Sequence, residues 1–172
     1  MSQDFYLGNP NLKKVGTDIN FTQDQVQEYL KCKEDPVYFA MNYIKIISLD
    51  EGIVPFKMWD FQQELIESFH EHRFNIAKLP RQTGKSTTCV SYLLHYILFN
   101  DNVNVGILAN KLSTARDLLS RLQLAYEQLP LWIQQGIVVY NKGSMELENG
   151  SKILAASTSA SAVRGMSFNI IF

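Results

Sequence analysis

The stretch Leu79-Pro80-Arg81-Gln82-Thr83-Gly84-Lys85-Ser86 has the residue types and order that handle phosphate. Gly84-Lys85-Ser86 matches the end of a G-x-x-x-x-G-K-[ST] loop. In such a loop, backbone N–H groups at a helix N-terminus surround the anion, the lysine reaches the β/γ oxygens, and the hydroxyl coordinates Mg²⁺. Leu79 stands where the first glycine of that pattern belongs. The tripeptide alone arises by chance in roughly one chain in ten of this length, so the flanking elements decide. The pattern demands a strand before the loop and a helix after it. Phe74-Asn75-Ile76-Ala77-Lys78-Leu79 is short, apolar-leaning and suited to a strand. Val90, Leu93, Leu94, Ile97 and Leu98 then recur at helical spacing, and the pattern stops at Asn100-Asp101. Strand, loop and helix come in the required order, which predicts a nucleotide site.

Other elements surround this unit. Residues 1–20 are polar and rich in Asn, Gly and Lys, and read as an arm or a loosely packed lead-in. Thr22-Gln23-Asp24-Gln25 forms a capping box for a first helix. Asp35-Pro36 starts a second, with Phe39, Tyr43, Ile44 and Ile47 inward. A third helix is expected over residues 59–71. After the loop helix the pattern turns to α/β. Val103-Asn104-Val105-Gly106-Ile107-Leu108-Ala109 reads as a parallel strand covered on both faces. A long helix capped by Ser113 follows and ends at Pro130. Ile137-Val138-Val139-Tyr140 is a strand, and Asn149-Gly150 joins strands at 145–148 and 151–154 in a hairpin. Residues 155–167 read as a loop, and residues 169–172 open another apolar strand. A stop inside a central strand is a poor domain boundary, which suggests a truncation, a split gene product or an interrupted reading frame.

Composition narrows the class. The chain has 172 residues, 46% hydrophobic and 19% charged, with a formal net charge of -1. That is one globular domain's worth of chain, and no overall basic field announces nucleic acid. Cys32 and Cys89 lack metal-ligand spacing, which suits a reducing cytoplasm. The N-terminus is no signal peptide and no stretch reaches membrane-spanning length, so a soluble, intracellular protein without a membrane partner is expected.

The variant loop Pro80-Arg81-Gln82-Thr83-Gly84-Lys85-Ser86-Thr87 resembles the Walker A motif of the large terminase subunit of tailed bacteriophages, the motor ATPase that packages DNA into proheads. Trp59-Asp60-Phe61-Gln62-Gln63 resembles that family's adenine-recognition element. Ala162-Val163-Arg164-Gly165-Met166-Ser167-Phe168 resembles the stretch leading into its Walker B strand. The match runs from Pro55 to Phe172 and is nearest the T4-like branch. The resemblance implies a P-loop α/β fold with a mostly parallel central sheet, helices on both faces, and a hairpin at 145–154. Residues 1–54 would be a helical lead-in, and residues 55–172 an ATPase domain lacking the Walker B acids. It further implies ATP and Mg²⁺ as cofactors. Double-stranded viral DNA, the prohead portal, the small terminase subunit and a second polypeptide completing the domain would be partners, in the host cytoplasm.

The roles it implies fall on particular residues. Lys85 neutralises the β/γ-phosphates and Ser86 holds Mg²⁺. The backbone of Gln82, Thr83 and Gly84 wraps the phosphates, and Thr87 completes the nucleotide-contacting set. Arg81 acts as a catalytic arginine supplied in cis; the alternative is a surface arginine paired with a carboxylate. Gln62 can read the N6/N7 edge of adenine, or can be a solvated helix glutamine. Arg164 and Gly165 are candidates for coupling or sensing: Gly165 permits a tight turn, and Arg164 can sense phosphate, anchor the loop or simply be solvated. With leucine at 79 the loop's entry cannot use positive φ as readily, so its path should depart from the standard one.

Other candidates have plainer readings. His70 and His72 suit a helix end rather than a metal pair, and His95 reads as a packed helix residue. Lys13-Lys14 and the glutamates Glu146 and Glu148 read as solvated. No aspartate or glutamate follows Glu148, so this segment alone is expected to bind ATP weakly and turn it over barely. Two competing readings are a nucleotide-binding fragment without hydrolysis and a helicase-like DNA-processing ATPase. Gln82-Thr83-Gly84 lacks the Gly-x-Gly-Lys spacing usual in such helicases.

Overall fold

The computed structural model describes residues 4–48, 50–158, 163 and 165–172. The first helices form as their caps dictate. α1 (Gln23–Glu34) is closed by the reciprocal Thr22–Gln25 box. α2 (Pro36–Tyr43) opens where Asp35 Oδ1 accepts the Tyr38 N–H at 2.8 Å. Here the expected helix ends early. It stops at Tyr43, and Ile47, expected on its inner side, lies 64% exposed in a separate antiparallel pair, β1 (Lys45–Ser48) with β2 (Gly52–Pro55). The β-branched run Ile44-Lys45-Ile46-Ile47 prefers the extended backbone, and Gly52 supplies the positive φ that lets the chain return. α3 (Asp60–Glu71) follows.

α4 (Lys85–Phe99) is the structural axis. It is buried nearly all round, Val90, Leu93, Leu94, Ile97 and Leu98 included, and packs against α2, α3 and α5 (Leu112–Glu127). Lys111 rather than Ser113 occupies the N-cap of α5.

The main sheet has the order β4-β5-β6-β3-β7: β3 (Asn104–Ala109), β4 (Ile137–Tyr140), β5 (Ser144–Leu147), β6 (Lys152–Ser157) and β7 (Ile170–Ile171). It is mixed, not mostly parallel. β6-β3-β7 pair in parallel, while the hairpin adds β5 and β4 antiparallel. Met145, Ile153 and Val105 form a fully buried row across it. Helices on both faces were expected. Among the described residues α5 packs on β3 and β6, and α4 packs against α5 and touches β3. The β3–α5–β6 crossover runs in one direction along the sheet and leaves its helix on one face. Phe168 lies over Gly106 within van der Waals reach. β6 extends three residues past its expected end, to Ser157.

The expected strand over residues 74–79 does not form. The segment pairs with no strand among the described residues, and Phe74 is 83% and Ile76 99% exposed. A strand exists through its neighbours' hydrogen bonds. Here a cavity of about 390 Å³, lined by Phe74, Cys89, Tyr92 and residues 168–172, separates the segment from β7.

Residues 4–17 are stitched to the far edge of the sheet instead of lying loose. Lys14 bridges Ile137, Leu12 is buried, and the Lys13 ammonium sits 3.2 Å from Glu148. Glu148 also accepts the N–H groups of Gly136 and Gly16, so neither Lys13 nor Glu148 is a simply solvated charge. Burial by itself would push the Glu148 carboxyl up, but the two N–H donors and Lys13 hold it below its ordinary value.

The Asn149-Gly150 turn does more than reverse the chain. Gly150 takes φ +79°, and Asn149 Nδ2 donates to the carbonyls of Ile97 (2.9 Å) and Asn100 (3.0 Å), closing the C-terminal end of α4.

His95 on α4 is 3% exposed among the rings of Phe39, Tyr92 and Phe99. Its Nε2–H donates to the Cys32 carbonyl at 2.8 Å, and Nδ1 has no partner among the described residues. Burial lowers its pKa to about 4, against weaker raising contacts such as the Cys32 carbonyl. Folded His95 therefore stays neutral where an unfolded histidine takes a proton. The stability contributed by that neutrality is complete above pH ~6.5 and is lost as pH falls toward 4, up to roughly 3 kcal/mol. Chemical melts between pH 7.5 and 5 should show this loss. His95→Gln should flatten the slope in that window, and an unchanged slope would refute the assignment.

Candidate functional site

The residues that could hold phosphate meet at the N-terminus of α4. Gly84 caps the helix in the left-handed conformation (φ 75°, ψ 10°). A side chain there would be strained, and its Cβ would lie 2.5 Å from Gln62 Nε2. Leu79 does not take positive φ; Gln82 does, at 63°. The left-handed residues of the loop are thus Gln82 and Gly84. Holding a non-glycine residue there costs about 1–2 kcal/mol.

The loop closes on itself. Thr83 Oγ1 donates to the Pro80 carbonyl at 3.0 Å. The Lys85 ammonium reaches back across the loop to the carbonyls of Leu79 (2.9 Å) and Pro80. This contact fixes the lysine over the mouth of the loop with donor capacity to spare.

The first helical N–H satisfied at this end is that of Thr88, which donates to the Gly84 carbonyl at 3.0 Å. Among the described residues the helical N–H groups before it have no partner, which leaves them for an anion. The hydroxyls divide in the same way. Thr88 donates to the Gly84 carbonyl and Ser91 to that of Thr87, so both are tied back to the helix. Ser86 makes no such bond among the described residues and is partly exposed. An unengaged hydroxyl beside unpaired N–H groups and an ammonium fits a metal-bound polyphosphate.

Gln62 comes to this loop from α3. Its Oε1 accepts the Trp59 N–H at 2.9 Å, and its Nε2 donates to the Thr83 carbonyl at 3.1 Å.

Residues 76–172 match the family described as terminase large subunit, T4likevirus-type, N-terminal. The chain belongs to that family. Its fold is also similar to the crystal structure of the large terminase of bacteriophage HK97, with a TM-score of 0.65 and 16% sequence identity over 81% of this chain and 30% of that one. The terminase chain thus spans less than a third of the length of that relative.

In this terminase chain the loop brings Gln82, Thr83, Gly84, Lys85, Ser86 and Thr87 together, with Gln62 against them. Arg81 is exposed and forms no ion pair among the described residues. The carboxylate partner of its plainer reading is therefore not found there. Gly165 takes φ +81° in the turn where Met166 N–H donates to the Val163 carbonyl, while Arg164 lies outside the described residues. His70 and His72 are exposed at the end of α3. No group of three potential metal ligands occurs among the described residues, and no described helix is long and apolar enough to cross a membrane.

Sequence reasoning missed the tie between α3 and the loop. A signal was there: a glutamine at the third helical position marks a side chain that reaches back to cap its own helix.

Proposed function

We propose that this chain holds ATP and Mg²⁺ on the 79–87 loop, as part of a motor that drives double-stranded viral DNA into proheads. The observation that carries this reading is the convergence at one helix N-terminus of unpaired N–H groups, the Lys85 ammonium and the unengaged Ser86 hydroxyl. Family membership supports the motor role, with the portal and the small terminase subunit as partners. Bound ATP supplies the phosphoanhydride, and Mg²⁺ offsets charge on the β- and γ-phosphoryl oxygens.

The protein's own residues bind and orient. The N–H groups of the loop and the first turn of α4 fix the phosphates, Lys85 sets its charge between β and γ, and Ser86 places the metal. Arg81 reaches the γ-phosphoryl group as charge develops there. Hydrolysis also needs acidic groups for the metal and for water. No Asp or Glu follows Glu148, and we propose that these 172 residues by themselves hold nucleotide without efficient turnover.

Titration with a fluorescent ATP analogue, with and without Mg²⁺, tests the binding. Saturable, Mg²⁺-dependent binding that disappears in Lys85→Ala supports it, and binding unaffected by that change overturns it. In a turnover-competent form, Arg81→Ala should leave ATP affinity within about twofold and lower single-turnover hydrolysis by roughly a thousandfold or more. Normal turnover in that variant would remove the arginine from the chemistry.

A further inference from the structure

Gln62 is 3% exposed, so its amide must find partners within the fold. It finds them on two different elements. Oε1 accepts the Trp59 N–H at the start of α3, and Nε2 donates to the Thr83 carbonyl in the loop. The orientation is fixed by chemistry, because an N–H can only donate and a carbonyl only accept. Nε2 also lies against Gly84, 2.5 Å from where a β-carbon would be.

The consequence follows from peptide planarity. In the trans peptide joining Thr83 to Gly84, the carbonyl and the following N–H point in opposite directions. Drawing the Thr83 carbonyl toward Gln62 therefore turns the Gly84 N–H away from Gln62, toward the mouth of the loop. We propose that Gln62 is a positioning residue. By holding the Thr83 carbonyl it presets the Gly84 N–H and the Lys85 backbone for a polyphosphate, whatever base is attached. This rests on the proposed use of the loop as a phosphate site. It differs from a base-reading role, which needs the carboxamide edge free for adenine. Here one amide hydrogen and the carbonyl oxygen are already engaged, and the side chain is buried.

The test separates phosphate from base. Affinities for Mg²⁺ complexes of ATP, GTP and inorganic tripolyphosphate are measured on the full chain, with Lys85→Ala as reference. Gln62→Glu keeps the bond to the Trp59 N–H but places a carboxylate oxygen against the Thr83 carbonyl. Gln62→Met fills the same space and makes neither bond. Melting temperatures establish that each variant is folded at the assay temperature.

The expected result is a loss of about tenfold, equal for all three ligands, in either folded variant. Loss confined to ATP, with GTP and tripolyphosphate unchanged, would make Gln62 an adenine reader and overturn the proposal. No loss for any ligand would overturn it as well. Should the unaltered protein bind none of the three, the phosphate site itself fails, an outcome visible before any variant is made.

Discussion

Lys85→Ala lowers ATP affinity by about a hundredfold or more while barely moving the melting temperature. The ammonium does two jobs in this chain. It lies across the loop onto the Leu79 and Pro80 carbonyls, and it belongs to the first residue of α4, beside N–H groups that have no partner among the described residues. On the proposed use of the loop, removing it would take away a charge-assisted contact to the phosphates and leave part of their charge uncompensated. Truncating one partner of such a pair costs about 2–5 kcal/mol, or between roughly two and three orders of magnitude at the middle of that range. The fold loses little, because the lysine is only partly buried and its partners are loop carbonyls that water can reach. Calorimetric titration with Mg·ATP reads the first effect and thermal melting the second. Lys85→Arg should recover only part of the binding, since a planar fork cannot take the place of a compact ammonium between two phosphates. A Lys85→Ala protein that still bound ATP within threefold of the unaltered chain would place the nucleotide elsewhere.

What the sequence made legible follows from local rules. The capping residues Thr22 and Asp35, the helical spacing of Val90 through Leu98, and the Asn149-Gly150 turn are each governed by a few adjacent residues, and each appears where expected. The family resemblance was legible in the same way, because Gly84-Lys85-Ser86 and the flanking segments are short and contiguous. The misses share a different cause. Whether residues 74–79 become a strand depends on a neighbour that no local pattern reports, and the place of β4 antiparallel to β5 depends on a connection. Glu148 looked solvated because its partners, Lys13, Gly16 and Gly136, come from distant parts of the chain. Gln62 looked like a free amide for the same reason: Thr83 is twenty-one residues away. Sequence thus located the candidate site, while tertiary contacts decided how its side chains are spent.

Leu94→Ala should be among the most damaging single truncations, costing about 2–5 kcal/mol of stability and roughly 10 °C of melting temperature. Leu94 is fully buried at the centre of α4, the helix on which α2, α3 and α5 all pack. Its removal leaves a cavity that surrounding helices can only partly fill, since each is also held against another neighbour. The informative control is Ile76→Ala. If residues 74–79 lie outside the sheet, an isoleucine 99% exposed has almost no apolar area to lose, and the change stays within about 0.5 kcal/mol. A strand buried beside β7 would instead make Ile76→Ala nearly as costly as the core truncation. Chemical melts of both variants therefore measure two things at once. They weigh the helix that carries the proposed phosphate-binding end, and they show whether the segment leading into the loop contributes packing or only connection.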